Sequence, residues 1–256
     1  MIHRPLPLLF LLLLIGIPGS ACAQQGEVVL SAASSLTDVL TLLQPEAARE
    51  IGARILFNFG ASGALRKQIE EGAPVDVFFS ASDNDMDLLE TQALIARGSR
   101  RELLSNTLVL IGGEGSRSMA GLHELRQLLT TAKLLAMGDP DSVPAGRYAV
   151  QALRNLGLYG IVEDKRVLGG SVREVLQFVQ SGSAPLGVVF ATDVHAPGSR
   201  VRTVYDFPAA SLATPIRYPI AVIAATKNPA LAARLAAFLK GARAREAFRS
   251  AGFVVP

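Results

Sequence analysis

Apolar positions along this chain recur in two alternating periods. Residues 27–32 form a short apolar run rich in β-branched side chains, Ser34 and Ser35 follow at once, and Leu36, Val39, Leu40 and Leu43 then fall at helical spacing. Asp38 stands three residues after Ser35, as in a capping box. The pattern predicts a strand, a tight loop and a helix, and it is then repeated. Residues 55–59 predict a strand, Gly60-Ala61-Ser62-Gly63 a loop, and Leu65 with Ile69 the inward face of a helix ending near Gly72. Residues 75–79 predict a third strand, and Met86, Leu89 and Ala93 begin a third helix.

The second half keeps this form. Residues 108–111 predict a strand running into a turn at 112–115, and residues 134–137 another, followed by Gly138-Asp139-Pro140 and Val143-Pro144-Ala145-Gly146. A helix leaves from there, with Tyr148, Ala152 and Leu156 on one face and Gly157 placed to end it. Ser171 begins another helix, with Glu174 completing a second capping box and Val172, Val175, Leu176 and Val179 as the apolar stripe. Residues 186–190 and 220–225 predict late strands, and helical segments from about Pro229 and around Phe248 close the chain. Strands alternating with helices of this length imply parallel sheets and an α/β fold.

The first 23 residues stand apart from this pattern. His3 and Arg4 supply a short basic start, residues 8–17 are apolar apart from Gly16, and Pro18-Gly19 precede Ala21-Cys22-Ala23, a small-x-small cleavage signature. Ten helical residues reach only about 15 Å, roughly half a bilayer core, so the segment predicts a secretory signal and an exported chain starting near Gln24. Cys22 is the only cysteine. It is either removed with the signal or becomes a lipidated N-terminus, but lipoprotein signals place Leu where Gly19 stands. The body has no thiol in either case, which excludes disulfides and Cys-bound metal there.

Composition narrows the function classes. Half of the 256 residues are apolar and 18% are charged, which excludes global disorder. Lys and Arg number 25 against 22 Asp and Glu, a net charge of only +3. The densest basic stretches, 97–101 and 243–249, lack the interleaved aromatics of a nucleic-acid groove, so no nucleic-acid partner is expected.

Candidate chemistry concentrates in the loops. Four predicted helices begin in small residues directly after a strand, at Ser35, Ser62, Ala145 and Ser171-Val172. A helix N-terminus presents unpaired N–H groups and the positive end of the macrodipole, and small residues let an anion approach them. Each start taken singly is also an ordinary cap. Catalytic alternatives are thinner. The 60–64 segment misses both glycines of a Gly-x-Ser-x-Gly elbow, although Ser62, Asp193 and His195 have the chain order of a hydrolase triad. No phosphate-binding Gly-Lys-Ser/Thr loop is present, and Asp83, Asp85 and Asp87 lack the glycine and distal Glu of a calcium loop, so they are expected to cap and solvate the third helix.

At these same loops the chain resembles periplasmic molybdate-binding proteins. The resemblance rests on Ala32-Ala33-Ser34-Ser35-Leu36-Thr37, Phe59-Gly60-Ala61-Ser62-Gly63 through Gln68-Ile69, and Gly72-Ala73-Pro74-Val75-Asp76-Val77-Phe78. It continues through Gly138-Asp139-Pro140, Val143-Pro144-Ala145-Gly146-Arg147-Tyr148, Ser171-Val172-Arg173 and Ala184-Pro185-Leu186-Gly187-Val188-Val189-Phe190. It ends at Tyr218-Pro219-Ile220-Ala221 and Ala251-Gly252-Phe253, and so spans the whole mature body in order.

The resemblance implies a type II periplasmic binding protein fold, with two α/β lobes and a ligand cleft between them. Lobe 1 would comprise residues 24–106 and 218–256, and lobe 2 residues 107–217. It further implies a non-enzymatic, monomeric receptor without a cofactor that delivers molybdate, and tungstate, to the membrane permease of an ABC importer. Ser35 and Ser62 would bind the oxyanion through hydroxyl and backbone N–H, and Ala145 and Val172 through backbone N–H, with no direct protein–metal bond. Related proteins often carry a Tyr hydroxyl donor where this chain has Phe190. The open alternatives are a receptor for another small oxyanion such as sulfate, and an exported serine hydrolase using Ser62 or Ser35.

Overall fold

The computed structural model describes residues 26–256. The predicted signal segment and Cys22 lie outside the described residues. From the N-terminus, β1 (Gly26–Ala33) runs through a 3-10 turn, Ser34–Leu36, into α1 (Thr37–Ile51), followed by β2 (Ala53–Gly60), α2 (Ser62–Glu70), β3 (Val77–Phe79), α3 (Asp83–Thr91) and β4 (Arg101–Asn106). Next come β5 (Leu108–Gly113), α4 (Leu122–Thr131), β6 (Leu135–Gly138), α5 (Pro144–Asn155), α6 (Tyr159–Val162) and β7 (Arg166–Gly169). The chain then forms α7 (Val172–Gln180), β8 (Leu186–Phe190), α8 (Ala191–Val194) and β9 (Val201–Asp206), and ends with β10 (Ile216–Val222), α9 (Pro229–Lys240) and α10 (Ala242–Ser250).

These strands build two five-stranded sheets, ordered β2-β1-β3-β10-β4 and β7-β6-β8-β5-β9. The chain crosses from the first to the second at Thr107 and returns between β9 and β10. Register decides what the sheets present. β1 and β2 are parallel with Ala33 opposite Gly60, so the segments leading to Ser35 and Ser62 leave neighbouring strands at one level. In the second sheet, parallel β6 and β7 pair Gly138 with Gly169, which does the same for the approaches to Ala145 and Val172. Each sheet thus offers two helix starts beyond the carboxyl ends of its strands, where open α/β sheets bind ligands.

The expected parallel pairing holds for β1 with β2 and β3 and for β6 with β7 and β8, and fails elsewhere. β10 runs antiparallel to β3 and β4, and β5 antiparallel to β8 and β9. Both are strands entered directly from the other sheet, so no crossover helix forces them to run with their neighbours. β4, α4, β7 and β9 carry no sequence-based expectation; β7 is short with a single buried residue, β9 buries only Val201 and Val204, and β4 opens on two exposed charged residues. Among the described residues no helix is long and apolar enough to cross a membrane.

One core continues through both sheets, with Leu30, Val77, Leu110, Ala136 and Val188 fully buried in it. A smaller cluster, including Leu65, Phe78, Met86 and Leu89, seats α2 and α3 on the first sheet. At the foot of α5, Gly146 approaches the Gly138 carbonyl so closely that a Cβ would lie 2.0 Å from that oxygen. Glycine there lets α5 start directly against the end of β6.

Candidate functional site

The four helix starts face each other across the junction of the two sheets. Ser35, Ser62, Val172 and Phe190 line one small cavity together with Ser34, Ala61, Ala81, Val143 and Pro144. It is tight, with about 10 Å³ open to the centre of a water-sized sphere. Ala145 is fully buried one residue beyond Pro144 and is not itself part of the lining. Among the described residues no charged side chain lines this cavity.

Each start is shaped by local sequence. Ser62 opens α2 after Ala61, and Pro144 opens α5, where its missing N–H costs nothing. Val172 opens α7 behind Ser171, whose hydroxyl accepts from the Glu174 N–H at 3.2 Å. Glu174 Oε2 in turn accepts from Gly170 N–H at 2.7 Å, so the box predicted at Ser171 closes one residue earlier. The N–H groups of Ser35, Ser62, Ala145 and Val172 lie in first turns, where the helix supplies no acceptor. None of the four donates to another group among the described residues.

The capping box predicted at Ser35 and Asp38 does not form. Helix α1 begins at Thr37 without a side-chain cap, and the Ser35 hydroxyl lies 3.0 Å from Tyr218 Oη instead. Ser62 Oγ accepts the Ala81 N–H at 2.9 Å. Both hydroxyls are therefore held from behind by the protein.

Phe190 packs edge-on between Tyr148 and Tyr218, at centroid distances of 6.4 and 5.8 Å. Burial pushes the Tyr148 phenol up to about 12, and raises that of fully buried Tyr218 further still. Both rings stay neutral at any physiological pH, so the wall that Phe190 forms carries no charge.

Guanidinium groups flank the cavity without entering it. Arg147 of α5 pairs with Asp85 of α3, and Arg66 Nε approaches the same carboxylate at 3.3 Å. Arg173 of α7 lies 2.7 Å from Asp38 and 3.1 Å from fully buried Asp193, ion pairs that both fall short of a directional hydrogen bond. Burial raises Asp193 to about 6 against the opposing pull of Arg173 and of the Phe190 N–H, which donates to it at 3.1 Å. The backbone adds a link: Gly63 N–H donates to the Ser142 carbonyl at 2.9 Å. These contacts, with those of Arg147 to Ser82 Oγ and of Asn106 to Thr192, join elements of one sheet to elements of the other around the cavity.

The structure corrects the reading of the Asp83-to-Asp87 segment in part. Asp83 and Asp87 pair with Arg100 near the surface, whereas Asp85 is buried and bridges the sheets. The hydrolase constellation does not assemble: Ser62 engages Ala81, Asp193 faces Arg173, and exposed His195 lies outside the cavity that Ser62 lines. Among the described residues there is no cluster of three His, Cys, Asp or Glu suited to a metal ion. Sequence reasoning missed the roles of Asn106, Ser142 and Tyr218, which are set by pairings across the molecule that no local pattern announces.

The chain is similar to known proteins over most of its length. Residues 28–254 match the family model described as bacterial extracellular solute-binding protein. The chain is 34% identical over 243 residues to the molybdate-binding protein ModA of Escherichia coli K12, covering 93% of each. Among solved structures, the substrate-binding domain of a putative molybdenum ABC transporter from Clostridium difficile matches at 34% identity and a TM-score of 0.67, covering 91% of this chain and all of that one. The periplasmic molybdate-binding protein of Azotobacter vinelandii shares the fold with a TM-score of 0.79 at 24% identity, covering 90% of this chain and 99% of that one.

Proposed function

The chain belongs to the bacterial extracellular solute-binding protein family, and from that premise we propose that it captures molybdate in the cavity between its sheets and delivers it to the permease of an ABC importer. The observation that carries the reading is the convergence of Ser35, Ser62 and Val172 on one uncharged cavity, with the start of α5 as its fourth side. In this account Ser35 and Ser62 donate through hydroxyl and N–H, and Ala145 and Val172 through N–H. Four helix dipoles supply the positive potential, each worth about 0.3–1 kcal/mol for a nearby anion. Molybdenum is bound as its oxyanion, with no protein atom on the metal.

Every donor is neutral, and the only acceptors in the set are the serine oxygens, of which Ser62 Oγ already accepts the Ala81 N–H. A fully ionised dianion is therefore preferred, and hydrogen phosphate, whose proton needs an acceptor, is disfavoured. Tungstate, with the same charge and shape, fits the same donors. Sulfate is smaller and reaches fewer donors on both sides at once. Phe190 contributes a packed wall in place of a hydroxyl donor.

Residues 24–106 and 218–256 are taken as lobe 1 and 107–217 as lobe 2, closing as a monomer over the anion, the last boundary falling inside β10, whose Ile216 and Arg217 already pair with β4 of the first sheet. Residues 1–23 direct export to the periplasm, with lipid attachment at Cys22 the alternative fate of that segment. Expression of the full chain in molybdate-supplemented bacteria, followed by elemental analysis of the purified periplasmic protein, tests the reading. About one molybdenum per chain is expected; protein recovered without molybdenum, or carrying only sulfur or phosphorus oxyanion, would contradict it.

A further inference from the structure

Tyr218 belongs to β10, one of the strands by which the chain crosses between the sheets, and is not part of the cavity lining. Its hydroxyl nonetheless lies 3.0 Å from Ser35 Oγ and 3.2 Å from Asn106 Nδ2, fully buried. The direction of each bond follows from what each group is able to do. The Thr107 N–H only donates, and it meets Asn106 Oδ1 at 2.9 Å, which fixes which end of that amide is oxygen. The amide nitrogen therefore faces Thr192 Oγ1, at 2.9 Å, and the Tyr218 oxygen, and it donates to both. Tyr218 Oη thus accepts from Asn106. Its single proton has one acceptor among the described residues, Ser35 Oγ. With that oxygen accepting, the proton of Ser35 is left to point into the cavity.

Ser62 reaches the same state by a shorter route, because its oxygen accepts from the Ala81 backbone N–H. Ser35 has no such backbone partner, and Tyr218 takes that place.

The geometry points to Tyr218 as a specificity-determining positioning residue: the one-way chain from Asn106 through Tyr218 holds the Ser35 hydroxyl as an obligate proton donor to the bound oxyanion. This rests on the reading of the cavity as an oxyanion site. A protonated oxyanion, arriving with a donor of its own, then meets at each serine a proton already aimed at it and an oxygen with one lone pair already engaged, and is disfavoured relative to the dianion. The arrangement also ties a cavity hydroxyl to β4 and β10, the two strands at the crossings, and through Thr192 to α8 of the second sheet.

The test is a double-mutant cycle read by calorimetry on the ligand-stripped mature protein: wild type, Tyr218→Phe, Ser35→Ala and the double variant, each titrated with molybdate and with phosphate. Phenylalanine preserves the ring contacts of Tyr218 with Phe190 and Phe253. Tyr218→Phe is expected to weaken molybdate about tenfold and to narrow its preference over phosphate, and to cause no further loss where Ser35 is already Ala. A purely structural role would produce the same loss in both backgrounds. That result, or unchanged affinity in Tyr218→Phe, overturns the proposal. Should Tyr218→Phe fail to fold, Asn106→Leu removes the upstream donor and carries the same expectation. Absence of oxyanion binding by the wild type would instead overturn the site reading on which the proposal stands.

Discussion

At the scale of single residues, the serine hydroxyls do two jobs at once. Ser62 Oγ accepts from Ala81 while its proton remains for the ligand. Ser62→Ala should therefore weaken molybdate binding by roughly 10- to 150-fold, the worth of a hydrogen bond to a charged partner. It should also lower stability by about 1–3 kcal/mol, because the buried Ala81 N–H loses its acceptor. Titration calorimetry and urea denaturation separate the two effects. Asp193 makes a different statement. Burial raises its pKa to about 6, so the folded protein holds this proton more tightly than the unfolded chain does. Its contribution to stability is complete below about pH 4 and is lost as pH rises through about 6. Relative to Asp193→Asn, the wild type should lose on the order of 3 kcal/mol between those limits, read from denaturation midpoints at several pH values. Equal pH slopes in the two proteins would contradict the assignment.

At the scale of elements, function depends on where helices begin rather than on how long they run. Helix α5 starts hard against β6 because Gly138 and Gly146 let the two backbones meet. Gly146→Ala should destabilise the fold by about 3 kcal/mol through that clash, read as a lower urea midpoint at unchanged slope. A neutral substitution would mean that α5 has room to shift. Elements of this kind were legible from the chain. The runs before Ser35, Ser62, Ala145 and Val172 pair apolar strands with small residues and helical stripes; α2 and α7 begin at Ser62 and Val172, α5 one residue before Ala145, and α1 only at Thr37, after a 3-10 turn that holds Ser35. What the pattern could not carry is strand direction and long-range pairing. β5 and β10 have the same apolar texture as their parallel neighbours, so nothing local marks them as antiparallel. β7 and β9 lack the apolar runs that would distinguish them from loops. The Ser35–Asp38 spacing predicts a cap, and the structure sends that hydroxyl to Tyr218, 183 residues away in sequence. A local rule yields there to a tertiary contact, as is common at functional sites.

At the scale of the whole molecule, the cavity exists only while the two sheets stay together, and few contacts hold them around it. Gly63 N–H reaches the Ser142 carbonyl, and a Cβ on Gly63 would lie 2.6 Å from that oxygen. Alanine is the better helix former, so Gly63→Ala should leave the ligand-free protein equally or more stable. It should nonetheless reduce molybdate affinity at least about tenfold by obstructing closure, a split visible by comparing thermal melts with binding isotherms. Loss of stability without loss of affinity would mean that the Gly63 contact belongs to the fold and not to closure. The pairs Arg147–Asp85 and Arg173–Asp38 act in the same place. They balance charge at the rim and leave the lining neutral, which is what a site selective for a fully ionised anion requires. The most direct test of that selectivity is parallel calorimetric titration of the ligand-stripped mature protein with molybdate, tungstate, sulfate and phosphate at one pH near neutrality. The account predicts tight one-to-one binding of molybdate and tungstate, much weaker sulfate and no heat from phosphate. Phosphate binding as tight as molybdate, or silence from all four, would contradict it.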